Sequence, residues 1–401
     1  MPELVPPFLD LADPTFSVRS DHVHRAREAS WYARTNYGLA VLRYDQAARL
    51  IRHPSLRQGS WQWLAHHGVT SGLLADWWAG WVLNIEGDSH LRLRKLMNPA
   101  FSRKAIEALR PRFERLAAEL IDSFAERGRC EFMADFAVPY AARVIAILLG
   151  IPEREWRTIA DQSATIGLAT GVRVREHLPR IEAALEKLYD YADELIANRR
   201  RSPRHDLVTS LVQAEADAER LTTAELRDSL VLLMFGGFDT TRNQLGLAVQ
   251  LFLDHSVQWR LLGQHAELGS TAVEEVMRVS STTTWVTREA VEDFCFDGLE
   301  IKAGTTIHLF CESAGTDPRA FVHADFDITA ADRLPHCGFG GGIHYCLGHL
   351  VARTDMGIAL TALAQRLPAI RPAGPATWLP DSGNTGPVTL PLAFAGTNSA
   401  S

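Results

Sequence analysis

Between Phe339 and Gly348 the chain reads Phe-Gly-Gly-Gly-Ile-His-Tyr-Cys-Leu-Gly, and Cys346 is the residue in it best suited to chemistry. A helical pattern follows to about Arg366, so Cys346 stands at a helix start. Free backbone N–H groups and the positive end of the helix dipole favour a thiolate there. Glycines let the loop fold tightly and point N–H groups at sulfur, and such hydrogen bonds tune an iron centre. Phe339 can pack on the same side and shield the sulfur. A thiolate ligand to iron is the chemistry these residues suit. The competing readings are a buried cysteine in a glycine turn and a cysteine nucleophile; no separate His/Asn constellation points to the nucleophile.

Two further spacings matter. Glu275 and Arg278 stand at i and i+3, share one helix face and can pair; they lie 71 residues before Cys346. Gly236-Gly237-Phe238-Asp239-Thr240-Thr241 sits in the middle of a long helical pattern, where each glycine costs ~1 kcal/mol. Glycines permit close approach to a flat cofactor. A Thr hydroxyl bonded to a backbone carbonyl can open the helix locally. A packing site for small residues is the plainer alternative.

The 339–348 stretch resembles the haem-binding signature of the cytochrome P450 family, Phe-x-x-Gly-x-His-x-Cys-x-Gly, with Phe339, Gly342, His344, Cys346 and Gly348 at the fixed places. Glu275 and Arg278 resemble its Glu-x-x-Arg, and 236–241 is similar to its oxygen-activation motif, an acid followed by an alcohol. The resemblance implies that Cys346 is the axial ligand of haem b, with Phe339, Gly342 and Gly348 shaping the loop. It implies that Asp239 and Thr240 relay protons to dioxygen, and that Glu275 and Arg278 lock the core behind the haem. The usual third partner is an Arg soon after a Phe-Asp. Here Phe326-Asp327 is followed by Ile328-Thr329-Ala330, and Arg333 is the nearest substitute. Haem propionates need cationic or hydrogen-bonding partners; His90, Arg94, Arg288 and His336 stand in the places from which the family supplies them. The expected substrate pocket takes in Trp81, Phe235, Gly236, Thr284, Val286 and Thr385.

The implied activity is that of a haem-thiolate monooxygenase placing one oxygen atom of O2 in a small, ring-containing substrate of specialised metabolism. Five tryptophans between Trp61 and Trp81 offer flat walls for such a ring, or are plain core. Polar residues at 280–284 and at Asn384-Thr385 suggest a substrate with oxygens to orient, or are solvated loops. Electrons from NAD(P)H would come through a separate ferredoxin and its reductase, because no flavin or iron–sulfur domain fits in these residues. A peroxide-driven haem oxygenase and a non-catalytic haem sensor or recruitment module are the alternatives; the intact Asp239-Thr240 pair argues against both.

The elements that must hold these residues are mostly helical. Helical spacing marks 103–127, 135–149, 175–200 and 206–214, and Thr222 with Glu225 forms a capping box opening a helix to about Asp254. Strand signals lie at 37–44, 285–310 and 388–394. The expected fold is one large domain over 1–401, mainly α, of cytochrome P450 type, with β-rich parts near 31–45, 285–310 and 385–395. With 46% hydrophobic and 22% charged residues, the 401-residue chain is neither disordered nor fibrous. A net charge of −7 without a basic block gives no support to nucleic-acid binding. The longest apolar run, 230–238, is far short of the ~20 residues a membrane helix needs. Met1-Pro2-Glu3-Leu4 does not resemble a signal peptide. Five cysteines without a Cys-x-x-Cys pair make no disulfide framework or structural zinc site. A cytoplasmic protein is expected.

Overall fold

The computed structural model describes residues 6–215, 221–322, 325–330 and 332–395, and one helix organises it. Thr223–Asp254 runs 32 residues, about 48 Å at the α-helical rise. A reciprocal capping box sets its start. The Thr222 hydroxyl accepts from the Glu225 N–H at 3.2 Å, and the Glu225 carboxylate accepts from the Thr222 N–H at 2.9 Å. These bonds satisfy donors that a first turn leaves open. Buried residues such as Leu230, Val231, Met234, Phe238, Leu245 and Phe252 occupy much of the circumference, so the helix lies inside the fold instead of wetting one face. Helices Val138–Leu149, Trp156–Ile166, Val174–Arg201 and His349–Arg366 pack on it. His349–Arg366 lies in turn against Arg103–Ala125, Ser256–Gln264 and Gly269–Val279.

The β-rich side is a six-stranded sheet in the order Phe8–Leu9, Tyr32–Thr35, Gly38–Val41, Thr306–Phe310, Trp285–Ala290, Leu56–Gln58. The single strand expected over 37–44 is instead half of a hairpin. Tyr32–Thr35 pairs antiparallel with Gly38–Val41, and Asn36-Tyr37 makes the turn. A helix, Tyr44–Leu50, begins where the strand was expected to end. Its Tyr44 N–H is taken by the Asp317 carboxylate at 3.1 Å, a cap supplied from far along the chain. Pro391–Phe394 pairs with both Ile370–Pro372 and Arg129–Glu131; those partners are too short to show an alternating pattern. Leu9 and Phe394 belong to the same main apolar cluster, and a smaller cluster lies with the sheet. Among the described residues no helix is long and apolar enough to cross a membrane.

Candidate active site

Gly340 and Gly342 have φ of +70° and +68°, a left-handed backbone that other residues avoid, and they turn the chain back on itself. The turn is closed by the Cys346 N–H, which donates to the Phe339 carbonyl at 2.9 Å. Helix His349–Arg366 starts just beyond. Burial raises the Cys346 thiol pKa, while the Gly348 N–H and the Arg94 and Arg353 guanidiniums pull it back. Arg353 also lies over the Phe339 ring, 4.6 Å from its centroid. The sulfur therefore has an N–H donor and two cations nearby, an environment that supports a thiolate once a metal takes the proton's place.

Four of the polar residues beside this loop come together. His90 and Arg94 lie on helix Gly87–Met97. The His90 ring stands 4.3 Å from His344, and Arg94 donates to the Tyr345 carbonyl at 2.8 Å. Arg288 is buried and donates to the Ile51 and Gly341 carbonyls at 3.1 Å each and to Gln58 Oε1 at 2.9 Å. Burial lowers its pKa to about 10, so it stays charged at neutral pH. Burial, with His344 and Arg94 close by, pushes His90 down to about 4; it is a neutral donor that an added carboxylate would draw toward protonation. His336 does not join this group. Its Nε2 faces Glu274 at 3.4 Å, and Glu274 also binds Arg353. Burial alone would raise the Glu274 carboxyl, but His336 and Arg353 pull it down to about 2. His344, a fixed position of the loop signature, is the histidine beside His90. Its imidazole meets Glu86 Oε1 at 3.0 Å.

On the long helix the two glycines have different reasons. A Cβ on Gly237 would stand 2.1 Å from Ile145 Cδ1, whereas one on Gly236 would meet nothing within 4 Å. Gly237 therefore serves helix packing, and Gly236 leaves the helix surface open. The Thr240 hydroxyl donates to the Gly236 carbonyl at 2.7 Å. Asp239 is 1% exposed. Its Oδ1 accepts from Arg242 at 2.8 and 3.2 Å, and its Oδ2 from the Asn384 amide at 3.1 Å. Neither partner is evident in the 236–241 motif.

Phe235 meets Trp81 and Trp77 at ring separations of 5.8 and 6.1 Å. Trp61, Trp63 and Trp78 spend their indole N–H groups on Glu289, the Ala169 carbonyl and the Ser60 carbonyl. Those of Trp77 and Trp81 are buried without a hydrogen-bond partner among the described residues. Val286 lies in the smaller apolar cluster. The hydroxyls of Thr284 and Thr385, expected to face a substrate, are spent elsewhere. Thr284 donates to the Ser382 carbonyl, and Thr385 to Asp381 Oδ1 at 2.7 Å. Both residues are buried, because the 280–284 run is stitched to the last hairpin.

Glu275 and Arg278 make a two-point pair at 2.7 and 2.6 Å with both side chains almost fully buried. Arg278 also donates to the Gly315 carbonyl at 2.6 Å. Arg333 donates to Glu275 Oε1 at 3.2 Å, so the substitute third partner takes its place despite the altered spacing.

These residues fit an iron porphyrin. Cys346 supplies one soft ligand, and among the described residues no cluster of three His, Cys, Asp or Glu stands ready to hold an ion. A metal held there by Cys346 would have to bring its other ligands with it. His90 Nδ1 and His344 Nδ1 are buried without partners among the described residues, and with Arg94 they suit carboxylates on a macrocycle's edge. A cytochrome P450 family model matches residues 254–372, which hold both Glu275–Arg278 and the cysteine loop. Across 392 residues the chain is 37% identical to a luteothin monooxygenase from Streptomyces thioluteus, covering 97% of this chain and 96% of that one. The chain belongs to the cytochrome P450 family. It is also 36% identical to a nocardicin C N-oxygenase from Nocardia uniformis subsp. tsuyamanensis, with 79% of this chain and 80% of that one covered. The crystal structure of CalO2 superposes with a TM-score of 0.87 at 28% identity over 96% of this chain and 98% of that one. This cytochrome P450 is a monooxygenase whose cofactor is haem b and whose co-substrate is O2; NAD(P)H electrons reach it through redox partners.

Proposed function

We propose that this P450 oxygenates a flat, ring-containing small molecule of specialised metabolism that carries a hydrogen-bond acceptor. The observation that carries this reading is the pair of buried indole N–H groups of Trp77 and Trp81, beside Phe235 and without a hydrogen-bond partner among the described residues. Phe235 directly precedes Gly236, the residue whose carbonyl holds the Thr240 hydroxyl. An unmet donor in an apolar wall is costly, and a substrate carbonyl, nitro or ether oxygen would meet it. Bound haem would activate dioxygen so that one atom enters the substrate and the other leaves as water. The chain's own residues then have three tasks. Cys346 holds the iron; Arg94, Arg288, His90 and, in preference to His336, His344 hold the propionates; Asp239 and Thr240 supply protons.

We take the electron donor to be a ferredoxin served by its reductase. Arg52, Arg278, Arg333 and Arg353 outnumber Glu274 and Glu275 around a groove of about 660 Å³ beside the cysteine loop, a net-cationic edge for an acidic donor protein. All five cysteines are free, which suits the reducing cytoplasm.

Soret titration with ring compounds that have or lack an acceptor oxygen tests the substrate reading. Trp81→Phe keeps the aromatic wall and removes one donor. Acceptor-bearing ligands should lose about 2- to 10-fold in affinity, the size of one neutral hydrogen bond, and acceptor-free ligands nothing. Equal losses for both classes would refute the reading. Ligand-stimulated consumption of NADPH and oxygen separates a monooxygenase from a haem sensor.

A further inference from the structure

Asp239 is bonded along its own helix and flanked by two other elements. Arg242, one turn along the same helix, takes Oδ1. The Gly167 backbone faces the carboxylate so closely that a Cβ there would stand 3.0 Å from Oδ1 and 3.4 Å from Oδ2. Asn384, in the last hairpin, donates to Oδ2 at 3.1 Å. The Asn243 amide, on the same helix, lies at the limit of reach, 3.5 Å from Oδ2. Arg242 is the one charged group in this shell among the described residues.

The hairpin that carries Asn384 is itself pinned on three sides. Gly383 N–H donates to the Thr170 carbonyl at 3.2 Å, and Thr385 N–H to the Thr282 carbonyl at 2.9 Å. Asp381 accepts from Ser17 Oγ and Val18 N–H at 3.0 Å each. Asn384 thus projects from a fixed backbone, which suits it to fix another side chain in turn. Arg242 alone would hold the carboxylate along the helix surface. The amide from outside the helix sets the second oxygen, and with it the plane of the carboxylate relative to Thr240.

Resting on the relay reading above, we infer that Asn384 is a positioning residue for Asp239, and that the last hairpin thereby belongs to the proton-supply apparatus. The amide N–H donates strongly to an ionised carboxylate oxygen and only weakly to one that carries a proton. Each proton taken up at Oδ2 therefore has to loosen the Asn384 contact. Asn243 Oδ1 is buried without a partner among the described residues, and after amide rotation it gives a protonated carboxyl an acceptor.

The test compares Asn384→Ala, Asn384→Asp and Asp239→Asn in the haem-loaded enzyme with a substrate found by Soret titration. Asn384→Asp keeps the shape of the side chain and removes the donor, so it remains informative where Asn384→Ala disturbs the hairpin. Haem content and substrate affinity should stay near wild type in Asn384→Asp, while the melting temperature absorbs the cost of a second carboxylate beside Asp239. Turnover should fall about tenfold or more, in the range that misplacement of a reacting group costs. The acid limb of its pH–rate profile should move to higher pH, because the ionised carboxylate has lost a donor and gained a like charge. The solvent deuterium isotope effect on turnover should grow, a change that a merely structural role would not produce. If Asp239→Asn is impaired while both Asn384 variants keep wild-type turnover, pH profile and isotope effect, the relay stands and the role of Asn384 is refuted. If Asp239→Asn also behaves as wild type, the relay reading fails and the inference falls with it.

Discussion

Thr240→Ala removes one hydroxyl and one methyl from the middle of the long helix, and its structural and catalytic costs separate cleanly. The hydroxyl donates to the Gly236 carbonyl at 2.7 Å. That carbonyl is also the i−4 acceptor for the helical N–H of Thr240, so the deletion leaves no orphaned acceptor. The lost side-chain bond is worth ~0.5–1.5 kcal/mol, and the better helix propensity of Ala returns roughly half a kcal/mol. The net structural cost is about 1 kcal/mol or less, too little to unfold the chain or expel haem. A positioned proton donor is worth about 10²–10⁴-fold, or ~3–5 kcal/mol of barrier. The variant should therefore keep its melting temperature within a few degrees, its haem spectrum and its substrate-induced Soret shift. It should still consume NADPH and oxygen, while product per NADPH falls at least tenfold and hydrogen peroxide rises to account for the missing electrons. Thr240→Ser, which keeps the hydroxyl, should recover most of the coupling. Wild-type product per NADPH in Thr240→Ala, or a serine variant no better than alanine, would refute the reasoning.

Cys346→Ala should lose the long-wavelength Soret band of the reduced carbon monoxide complex; a normal thiolate band in that variant would end the ligand assignment. Arg278→Ala strands the buried Glu275 carboxylate and should cost ~3–5 kcal/mol in urea unfolding; a loss under ~1 kcal/mol would show that Arg333 alone suffices. Burial, opposed by Arg19, reinforced by Asp381 and opposed again by Arg27, pushes the Glu312 carboxyl up to about 7. From its ordinary 4.5 to about 7 the folded chain keeps a proton that the unfolded chain releases, so stability should fall as pH rises through that window and then level off, by at most about 3 kcal/mol. Glu312→Gln should flatten that slope in denaturant titrations at several pH values; an unchanged slope would locate the effect elsewhere.

Features legible in the sequence are those whose physics is local. The cysteine loop is readable because two left-handed turns demand glycine at Gly340 and Gly342, and because a thiolate gains from standing at a helix start. The capping box at Thr222 and Glu225 spans one turn, and so does the Glu275–Arg278 pair. Each follows from helix geometry before any tertiary contact is made, and together they carry the family and the outline of the fold.

Folding decided which side chains meet across long stretches of chain. His344 reaches Glu86 over 258 residues, Asn384 reaches Asp239 over 145, and Arg333 reaches Glu275 over 58. No periodicity records such pairings, because they depend on how packed helices and the last hairpin are set against one another. For the same reason His336 turned to Glu274 and away from the His90 group, and the hydroxyls at Thr284 and Thr385 went to the hairpin instead of a substrate. Residue type and local spacing determine what chemistry this chain can do; burial and distant partners decide which of its histidines, amides and hydroxyls are left to do it.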